Sequence, residues 1–455
     1  MTSLACRRAA LSVLCAAVLS CALAQSVWAS QVVVGPCKNL VTFSTIQLAV
    51  NAVPAGSTIY ICPGTYSEQV LITKSVSLVG VGSNGLSGAN ATGMNNPVIT
   101  SPAGGVVANA SDLFDSSSIG AQIAVLTPSG APAPIKVNLS YIAVDGANNL
   151  IPGCGPPNDL VGIYYQNASG TINEVVARNQ ALSVADDGCQ SGLAIFVQSG
   201  YASGGSAVVT ISNNSVHSYQ KNGITADGSG TVATITGNYV VGQGATTGAA
   251  ENGIQVSDGA TGSVKGNTVT DDVYINPPNC STIGNPPCFG GSGILIYDSG
   301  ATSVSHLAIS GNTVSNTQLA IVTFGDSAGT ADYTDVTSNK ITGTLTAGIY
   351  FDDGIDLCSN NDTATSNIVF NSSGAGVHID SSCTESTGMS GNGTTVTKNT
   401  INEACAGVLL GSGLGSSQSS NTFYNVVQVT QAGDLCPSGS PVRARARLKP
   451  LPRRP

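Results

Sequence analysis

Charged residues are scarce in this chain of 455 residues: Asp, Glu, Lys and Arg make up 9% of it, and aromatic residues only 5%. Three Met and few Lys, Glu and Arg leave it poor in residues that favour helices. Disorder is excluded as well, because 42% of the residues are hydrophobic and disordered chains are low in apolar content. Val, Ile and Thr recur in short runs between Gly, Asn, Asp and Ser, so the composition predicts a folded protein of short strands.

Positive charge is nearly missing from the body of the chain. Between Gln25 and Val442, eight Lys and Arg residues face twenty-five Asp and Glu, a net charge of −17. Such a surface repels nucleic acid, so no nucleic-acid partner is expected. From Arg443 to Arg454 six Lys and Arg residues among prolines reverse the sign. We interpret residues 437–455 as a basic, disordered tail. It is either an extension without function, encoded at the end of the gene, or an attachment to an anionic cell surface.

Long apolar runs are also missing, since no stretch beyond the N-terminus approaches the roughly 20 apolar residues that cross a bilayer. At the N-terminus two arginines precede an apolar stretch from Ala9 to Leu19 and small residues ending at Ala24. This pattern predicts a signal peptide over residues 1–24 and a secreted, periplasmic or cell-surface protein. An alternative is lipid attachment at Cys21, which follows a loose lipobox, Val18-Leu19-Ser20.

Two columns of residues repeat through the second half of the chain. The first column is an Asn followed within two residues by an apolar or aromatic residue, at Asn214, Asn238, Asn267, Asn312, Asn339, Asn367, Asn399 and Asn421. The second is a Gly or Ala before an aliphatic residue, at Gly223, Gly253, Gly293, Ala320, Gly348, Gly376 and Gly407. The Asn intervals are 22 to 32 residues, with one of 45 that we assign to a loop from Tyr274 to Gly291. A loosely fixed period of this length predicts stacked coils over residues 31–436, in which each Asn tolerates a left-handed turn and bonds the amide one coil away.

Near the start of the fold, the spacing of Ile46, Ala49, Val50 and Val53 predicts a short helix with Ser44 or Thr42 as its N-cap. We expect this helix to cover the first coil, because an open end exposes apolar core and unpaired strand edges. Strand-like runs follow at Thr58 to Cys62, Gln69 to Ile72 and Val76 to Val79.

This segment, with the coils after it, carries a resemblance to a known family. The run reads STIQLAVNAVPAGSTIYICPGTYSEQVLITKSVSLVGVG. It resembles the beginning of right-handed parallel β-helix proteins of the pectin-lyase-like superfamily, and the Asn-rich coils resemble parallel β-helix repeats, including those of NosD-like proteins. The resemblance implies an all-β fold: a single-stranded right-handed parallel β-helix, or solenoid, with a short N-terminal capping helix. It implies little about activity, because lyases, hydrolases, esterases, epimerases and adhesins share this architecture.

Ten cysteines remain after signal cleavage, and an even number in an exported chain favours disulfides. Only neighbouring coils touch in a solenoid, so we expect sequence-adjacent pairs: Cys37 with Cys62, Cys154 with Cys189, Cys280 with Cys288, Cys358 with Cys383, and Cys405 with Cys436. No Cys-x-x-Cys spacing typical of a zinc site occurs.

The Gly column also sets a register for outward-facing residues, since side chains alternate along a strand. One outward row reads Thr225, Gln255, Leu295, Val322, Tyr350, His378 and Leu409, and the other Asp227, Ser257, Tyr297, Phe324, Asp352 and Asp380. We expect Tyr297, Phe324, Tyr350 and His378 to bind sugar rings. Asp352, Asp353 and Asp380 are the candidate catalytic acids, and Asp352, Asp356 and Asp380 a candidate calcium site. The alternative is that the acids mark strand ends and the rings cover apolar surface.

Complete catalytic signatures are missing. FDDGIDL at Phe351 to Leu357 and ADDGCQSGLAI at Ala185 to Ile195 faintly resemble polygalacturonase motifs, but in the wrong order and without the Gly-His-Gly and Arg-Ile-Lys that follow. A pectate-lyase-like site would need Arg178, the only Arg of the body, which we expect to pair with an acid instead. The sequence therefore favours a non-catalytic protein that binds polysaccharide or a cell-surface glycan, or serves as an adhesin-like rod. A lyase or glycoside hydrolase acting through the outer acids is the alternative.

Overall fold

The computed structural model describes residues 29–82, 96–157, 159–277, 289–324, 332–344, 352–381, 391–411, 415–433 and 436. The chain winds through three parallel sheets, A, B and C, and each strand pairs with its counterparts in the preceding and following coils. Crossovers between parallel strands are right-handed in nearly all proteins. The fold is thus the predicted right-handed parallel β-helix. Strands are numbered in chain order.

Sheet A has fourteen strands. They are, in spatial order, β2 (Val41–Phe43), β1 (Gln31–Val34), β3 (Ser57–Ile61), β6 (Val76–Gly80), β10 (Lys136–Ser140), β13 (Ser169–Asn173), β16 (Ala207–Ser212), β19 (Thr231–Thr236), β22 (Thr261–Lys265), β25 (Leu307–Ser310), β28 (Thr334–Thr337), β31 (Thr363–Thr365), β34 (Thr395–Thr397) and β37 (Ser417–Ser419).

Sheet B has twelve strands. They are β4 (Gly64–Ser67), β7 (Pro97–Thr100), β11 (Ala143–Asp145), β14 (Val176–Arg178), β17 (Ser215–His217), β20 (Tyr239–Thr246), β23 (Thr268–Tyr274), β26 (Thr313–Thr317), β29 (Lys340–Thr344), β32 (Ile368–Ser372), β35 (Thr400–Asn402) and β38 (Thr422–Tyr424).

Sheet C carries the candidate site on its outer face. Its strands are β5 (Val70–Ile72), β9 (Ser118–Leu126), β12 (Asp159–Gln166), β15 (Leu193–Gln198), β18 (Asn222–Asp227), β21 (Asn252–Ser257), β24 (Ser292–Tyr297), β27 (Leu319–Phe324), β30 (Ile355–Leu357), β33 (Ala375–Ile379), β36 (Ala406–Leu410) and β39 (Gln428–Ala432). A short strand, β8 (Ala110–Ser111), pairs antiparallel with β9.

The core is a stack of aliphatic rows, because parallel pairing places like residues above one another. In sheet C one such row runs through Ile224, Ile254, Ile294, Ile321, Ile355, Val377 and Val408, all fully buried. Burying one such side chain contributes roughly 1.5–3 kcal/mol. The repeated aliphatic positions therefore supply the main stabilisation of the rod.

The predicted N-terminal helix is present as α1 (Ile46–Ala52), which turns Ile46, Ala49 and Val50 into the core. Its N-cap is Thr45, whose side chain accepts from Leu48 N, so the expected cap at Ser44 or Thr42 is wrong by one or more residues. The Glu68 carboxylate accepts from the backbone N–H groups of the first two helical residues, at 2.9 Å each. A negative charge at this end suits the helix dipole.

The Asn column forms a ladder at the corner between sheets A and B. From Asn238 onward, each Oδ1 accepts the backbone N–H of the Asn one coil before, at 2.9 to 3.0 Å, as Asn267 does from Asn238 and Asn312 from Asn267. The left-handed conformation belongs to the residue before the ladder Asn, for example Gly266 or Gly311. The predicted amide bonding is thus confirmed, whereas the expectation that the Asn itself takes the left-handed turn is wrong.

Three predicted disulfides are present, Cys37–Cys62, Cys154–Cys189 and Cys405–Cys436, with Cα–Cα distances of 5.5, 5.3 and 5.8 Å. Cys358 is also disulfide-bonded. Its expected partner Cys383, the pair Cys280 and Cys288, the signal peptide with Cys21, and the basic tail lie outside the described residues. Within the described part of the chain, no helix is long and apolar enough to span a membrane.

Candidate functional site

The outer face of sheet C presents two rows of side chains across neighbouring coils. The first row reads Thr225, Gln255, Leu295, Val322, Asp356, His378 and Leu409. The second pairs Asp227, Ser257, Tyr297 and Phe324 in successive coils. Parallel neighbours lie about 4.8 Å apart, so each row brings distant parts of the sequence into contact.

The predicted register fails at one coil. Ile355, not Ile349, pairs with Ile321, so Asp356 takes the row position expected for Tyr350. Two Gly-Ile pairs, at Gly348 and Gly354, fit the local pattern equally well, and only the pairing between coils distinguishes them. Tyr350 lies outside the described residues.

Two aromatic rings form a platform in the second row. The rings of Tyr297 and Phe324 stack with centroids 5.5 Å apart and planes 28° from parallel. Both side chains are partly exposed. A flat, partly exposed pair of rings on a rigid sheet offers an apolar surface without the cost of ordering a loop.

Two coils beyond Phe324, on β33, His378 lies among acids. Its Nδ1 is 3.0 Å from Asp353 Oδ2 and 3.9 Å from Asp356 Oδ1, and its Nε2 is 3.9 Å from Asp380 Oδ1. The other Asp353 oxygen accepts from Ala375 N at 2.5 Å, which fixes the carboxylate. His378 is 4% exposed, and the three acids are 7 to 9% exposed. We call His378, Asp353, Asp356 and Asp380 the histidine cluster.

The predicted acid Asp352 borders this cluster. Its backbone carbonyl accepts hydrogen bonds from Thr344 Oγ1, Ser372 Oγ and Gly374 N, which fixes the turn that leads into β30. Burial, and then the charge of Asp353, raise the pKa of Asp352 to about 7. The structure thus brings together Asp353, Asp356, Asp380 and His378 from the predicted set, with Asp352 beside them.

The donor atoms of the cluster bear on the expected calcium site. One ligand atom each from Asp353, Asp356 and His378 lie within 4.8 Å of one another. A second group of the same span joins Asp356 and Asp380 to Cys358, but Cys358 is disulfide-bonded and has no thiolate to offer. An imidazole with two carboxylates suits zinc, manganese or iron better than calcium, which takes six to eight oxygen ligands. The triad of Asp353, Asp356 and His378 therefore fits a transition metal better than calcium, and the calcium set of Asp352, Asp356 and Asp380 stays a prediction.

At the other end of the platform, Asp227 forms a second acidic centre that the sequence reading missed. Its oxygens accept from Gln198 Nε2, Tyr201 Oη and Ser257 Oγ, each at 2.9 Å. Burial, and then the neighbouring carboxyl of Asp258, raise the pKa of Asp227 to about 8. Asp227 stands in the predicted outward row, but Gln198 and Tyr201 belong to the coil before it and Asp258 to the coil after it, and they share no motif with it.

Other residues considered from the sequence have ordinary roles. Arg178 Nε bonds Asp145 Oδ2 at 2.8 Å, which confirms the expectation that it pairs with an acid. His306 lies half-exposed, 2.9 Å from Asp335. A depression of about 400 Å³ lies beside sheet B, lined by residues that include Ser67, Thr100 and Asp145. It is away from the sheet C face, and its one carboxylate is already bonded by Arg178.

Comparisons with known proteins bear on the fold. No family model matches the chain, and no curated protein matches it. Among solved structures, the A-module of the Azotobacter vinelandii mannuronan C-5 epimerase AlgE4 is 13% identical, with 85% of this chain and 92% of that one covered and a TM-score of 0.42. The DFA-IIIase from Arthrobacter chlorophenolicus A6 without its lid is 14% identical, covering 88% and 98%, with a TM-score of 0.45. An alginate lyase from Paenibacillus sp. is 13% identical, covering 89% and 99%, with a TM-score of 0.34. This chain is similar to these three proteins in architecture. The β-helix assignment itself rests on the chain's own strand pairing.

Proposed function

We propose that this protein binds polysaccharide along the outer face of sheet C, with Tyr297 and Phe324 as the platform for sugar rings. The stacked ring pair is the observation that carries the proposal. Apolar faces of pyranose rings pack on aromatic rings, and the polar groups around them need hydrogen-bond acceptors. The two partly exposed rings, which follow Asp227 and Ser257 in the second row, supply the first requirement.

The acids on either side of the platform supply the second requirement. Asp227 lies at the start of the second row, two coils before Tyr297. The histidine cluster lies in the coils that follow β27, which carries Phe324. A carboxylate accepts hydrogen bonds from sugar hydroxyls, and a protonated carboxyl, as the raised pKa of about 8 makes Asp227 at neutral pH, can also donate one. A glycan chain that follows the row would therefore meet a carboxyl group, the rings and further carboxyl groups in that order.

Export is part of the proposal. Disulfides persist in oxidising compartments, and three are present among the described residues. We place the protein outside the cytoplasm, as a secreted, periplasmic or cell-surface protein that meets glycans there.

Retention of the protein on immobilised polysaccharides tests the proposal. The panel includes neutral glucans, uronate polymers and whole cell-wall material. We expect at least one to retain the wild type, and Tyr297→Ala or Phe324→Ala to weaken that binding about tenfold, which corresponds to about 1.4 kcal/mol. Tyr424→Ala is the matched control, because Tyr424 is an exposed aromatic residue on sheet B. Equal weakening in the control, or no loss in either platform variant, would reject the sheet C face as the binding surface.

The histidine cluster favours a second candidate, polysaccharide cleavage. A carboxylate bonded to Nδ1 holds an imidazole in one orientation and leaves Nε2 for proton transfer, as general acid–base catalysis requires. Incubation with the retained glycan, with and without divalent metal, would be followed by reducing ends and by the absorbance of unsaturated uronates. Turnover that disappears in both His378→Gln and Asp353→Asn, with binding preserved, would establish an enzyme. Retention without turnover would leave a binding protein.

A further inference from the structure

Three donor atoms of the histidine cluster are already gathered within the reach of one ion. His378 Nδ1 lies 3.0 Å from Asp353 Oδ2 and 3.9 Å from Asp356 Oδ1. One ligand atom from each of the three residues fits within a span of 4.8 Å. Zinc binds imidazole nitrogen and carboxylate oxygen at about 2.0–2.2 Å, so two ligands of one ion lie at most about 4.4 Å apart. A closure of roughly half an ångström therefore brings all three donors onto a single ion.

The surroundings of these donors have the features of the outer shell of a metal site. The Asp353 carboxylate is fixed through its other oxygen, Oδ1, which accepts from Ala375 N at 2.5 Å. A Cβ atom on Gly374 would collide with the same oxygen, so the glycine leaves the room for it. On the far side of the imidazole, His378 Nε2 lies 3.9 Å from Asp380 Oδ1. Metal-bound histidines direct their second ring N–H to a carboxylate or carbonyl, and metal-bound carboxylates are themselves hydrogen-bonded.

The balance of charge in these coils also favours a cation. The cluster combines three carboxyl groups with one imidazole, and its members are 4 to 9% exposed. A protonated His378 carries one positive charge, so it leaves two negative charges when the three acids are ionised. The chain contains no Lys or Arg between Lys340 and Lys398, so the coils that form the cluster supply no basic side chain of their own. A divalent ion offsets this charge in a place where buried charge is costly.

We infer that Asp353, Asp356 and His378 bind one divalent transition-metal ion, zinc ahead of manganese, with Asp380 orienting the imidazole. One imidazole with two carboxylates is a donor set for zinc, manganese or ferrous iron, and a given site binds zinc more tightly than manganese. Three protein ligands leave a coordination position open, as in catalytic rather than structural zinc sites. The inference stands without glycan binding, because it needs only these side chains.

Metal binding excludes the hydrogen bond between His378 and Asp353. In the metal-bound state the ion occupies the Nδ1 lone pair, and Asp353 Oδ2 contacts the ion instead of an Nδ1–H group. The metal centre and the acid–base pair of the second candidate function are therefore alternative states of the same residues.

Calorimetric titration of the full chain, first dialysed against a chelator, tests the inference with Zn²⁺, Mn²⁺ and Ca²⁺ as separate probes. We expect one Zn²⁺ per chain, with Ca²⁺ bound at least tenfold more weakly. His378→Ala and Asp356→Asn should each weaken Zn²⁺ binding at least tenfold, and Asp380→Asn about tenfold, as outer partners of metal ligands do.

His306→Ala is the matched control. His306 also bonds a carboxylate, Asp335, at 2.9 Å, but among the described residues this pair belongs to no group of three metal-binding side chains. The control should keep the wild-type affinity for Zn²⁺. Absence of Zn²⁺ binding, unchanged binding in both ligand variants, or an equal loss in His306→Ala would overturn the inference.

X-ray absorption spectroscopy of the Zn²⁺-loaded wild type gives a readout that does not depend on the folding of variants. We expect nitrogen and oxygen ligands at about 2.0–2.2 Å, with the scattering of a single imidazole. A shell of oxygens alone, or a sulfur ligand at about 2.3 Å, would place the ion elsewhere and overturn the assignment.

Discussion

Two sets of buried polar residues in this rod follow opposite rules. In the Asn ladder between sheets A and B, every step repeats the same bonds at 2.9 to 3.0 Å. On the outer face of sheet C, the partners change with each coil: Asp227 accepts from Gln198, Tyr201 and Ser257, whereas Asp353 bonds His378 and Ala375 N. Both sets are buried, so burial alone does not distinguish them.

Repetition and its loss have different physical meanings. A repeated amide satisfies the backbone of the next coil, so each step stabilises its neighbours and needs no ligand. The acids of sheet C repel one another and lose hydration when they are buried. Neither effect favours folding or the stacking of coils. The ladder therefore stabilises the rod, and the positions where the repeat is broken are the candidates for functional residues.

The largest effect is expected at the centre of the ladder. Asn312→Ala removes the acceptor of Asn267 N, and the donor to Val264 O and Asn339 Oδ1. Asn339 Oδ1 keeps the bond from the Asn312 backbone N–H, so the two buried groups that lose this partner are Asn267 N and Val264 O. At 1–3 kcal/mol per group, their loss should cost about 2–6 kcal/mol in the free energy of unfolding. Chemical denaturation measures the loss. Asn402→Ala is the control: the Asn402 side chain accepts one exposed hydrogen bond, from Asn425 Nδ2, and its loss should change stability by no more than about 0.5 kcal/mol.

That contrast also explains what the sequence could predict. The ladder and the aliphatic rows repeat along the chain, so the columns that begin at Asn214 and Ile224 were enough to predict the β-helix from the sequence. The histidine cluster was found only in part, because Asp353, Asp356 and His378 belong to different coils whose register the local pattern leaves ambiguous.

Residues that meet only through the fold escaped the sequence reading altogether. Tyr219 and Asp272 stand 53 positions apart and belong to no motif, yet the Tyr219 hydroxyl donates to Asp272 Oδ1 in the interior of the rod. The room for the Asp272 carboxyl depends on Gly253, because a Cβ there would lie 2.8 Å from Asp272 Oδ2. Position in the outward row was the single available signal for Asp227.

The glycine column offers a second test of the difference between repeated and non-repeated positions. A Cβ on Gly293 would lie 2.4 Å from Val314 Cγ1 and 2.8 Å from Ala320 O, yet one coil later Ala320 occupies the same column. Gly293→Ala should cost about 1–3 kcal/mol, as overpacking does. Ala320→Gly, the reverse change one coil away, should cost about 0.5–1 kcal/mol through backbone freedom. Thermal unfolding of the two variants distinguishes them, and equal costs would show that the column has no strict requirement.

On the sheet C face, unlike in the ladder, removing a polar group should increase the stability of the rod. Asp258→Asn removes the carboxyl that helps to raise the pKa of Asp227. The wild type loses stability as pH rises from about 4 towards the folded pKa of about 8, because the unfolded state releases the proton first. The variant should therefore be more stable than the wild type by about 1 kcal/mol at pH 9, and indistinguishable at pH 4. A loss of stability at pH 9 would show that this acid pair stabilises the rod as the ladder does.

The smallest effect is expected at the half-buried pair on sheet B. Hydrogen bonds from Asn179, Ala147 N and Arg178 outweigh burial and lower the pKa of Asp145. The stability that this carboxylate contributes is present above pH 4 and is lost as pH falls through the lower folded pKa. Asp145→Asn should cost about 0.5–1 kcal/mol at pH 7, as a partly exposed ion pair does, and the cost should vanish near pH 2. Denaturation at the two pH values measures both. If this substitution costs as much as Asn312→Ala, the number of bonds rather than their repetition sets the stability of the rod, and the contrast between ladder and face no longer holds.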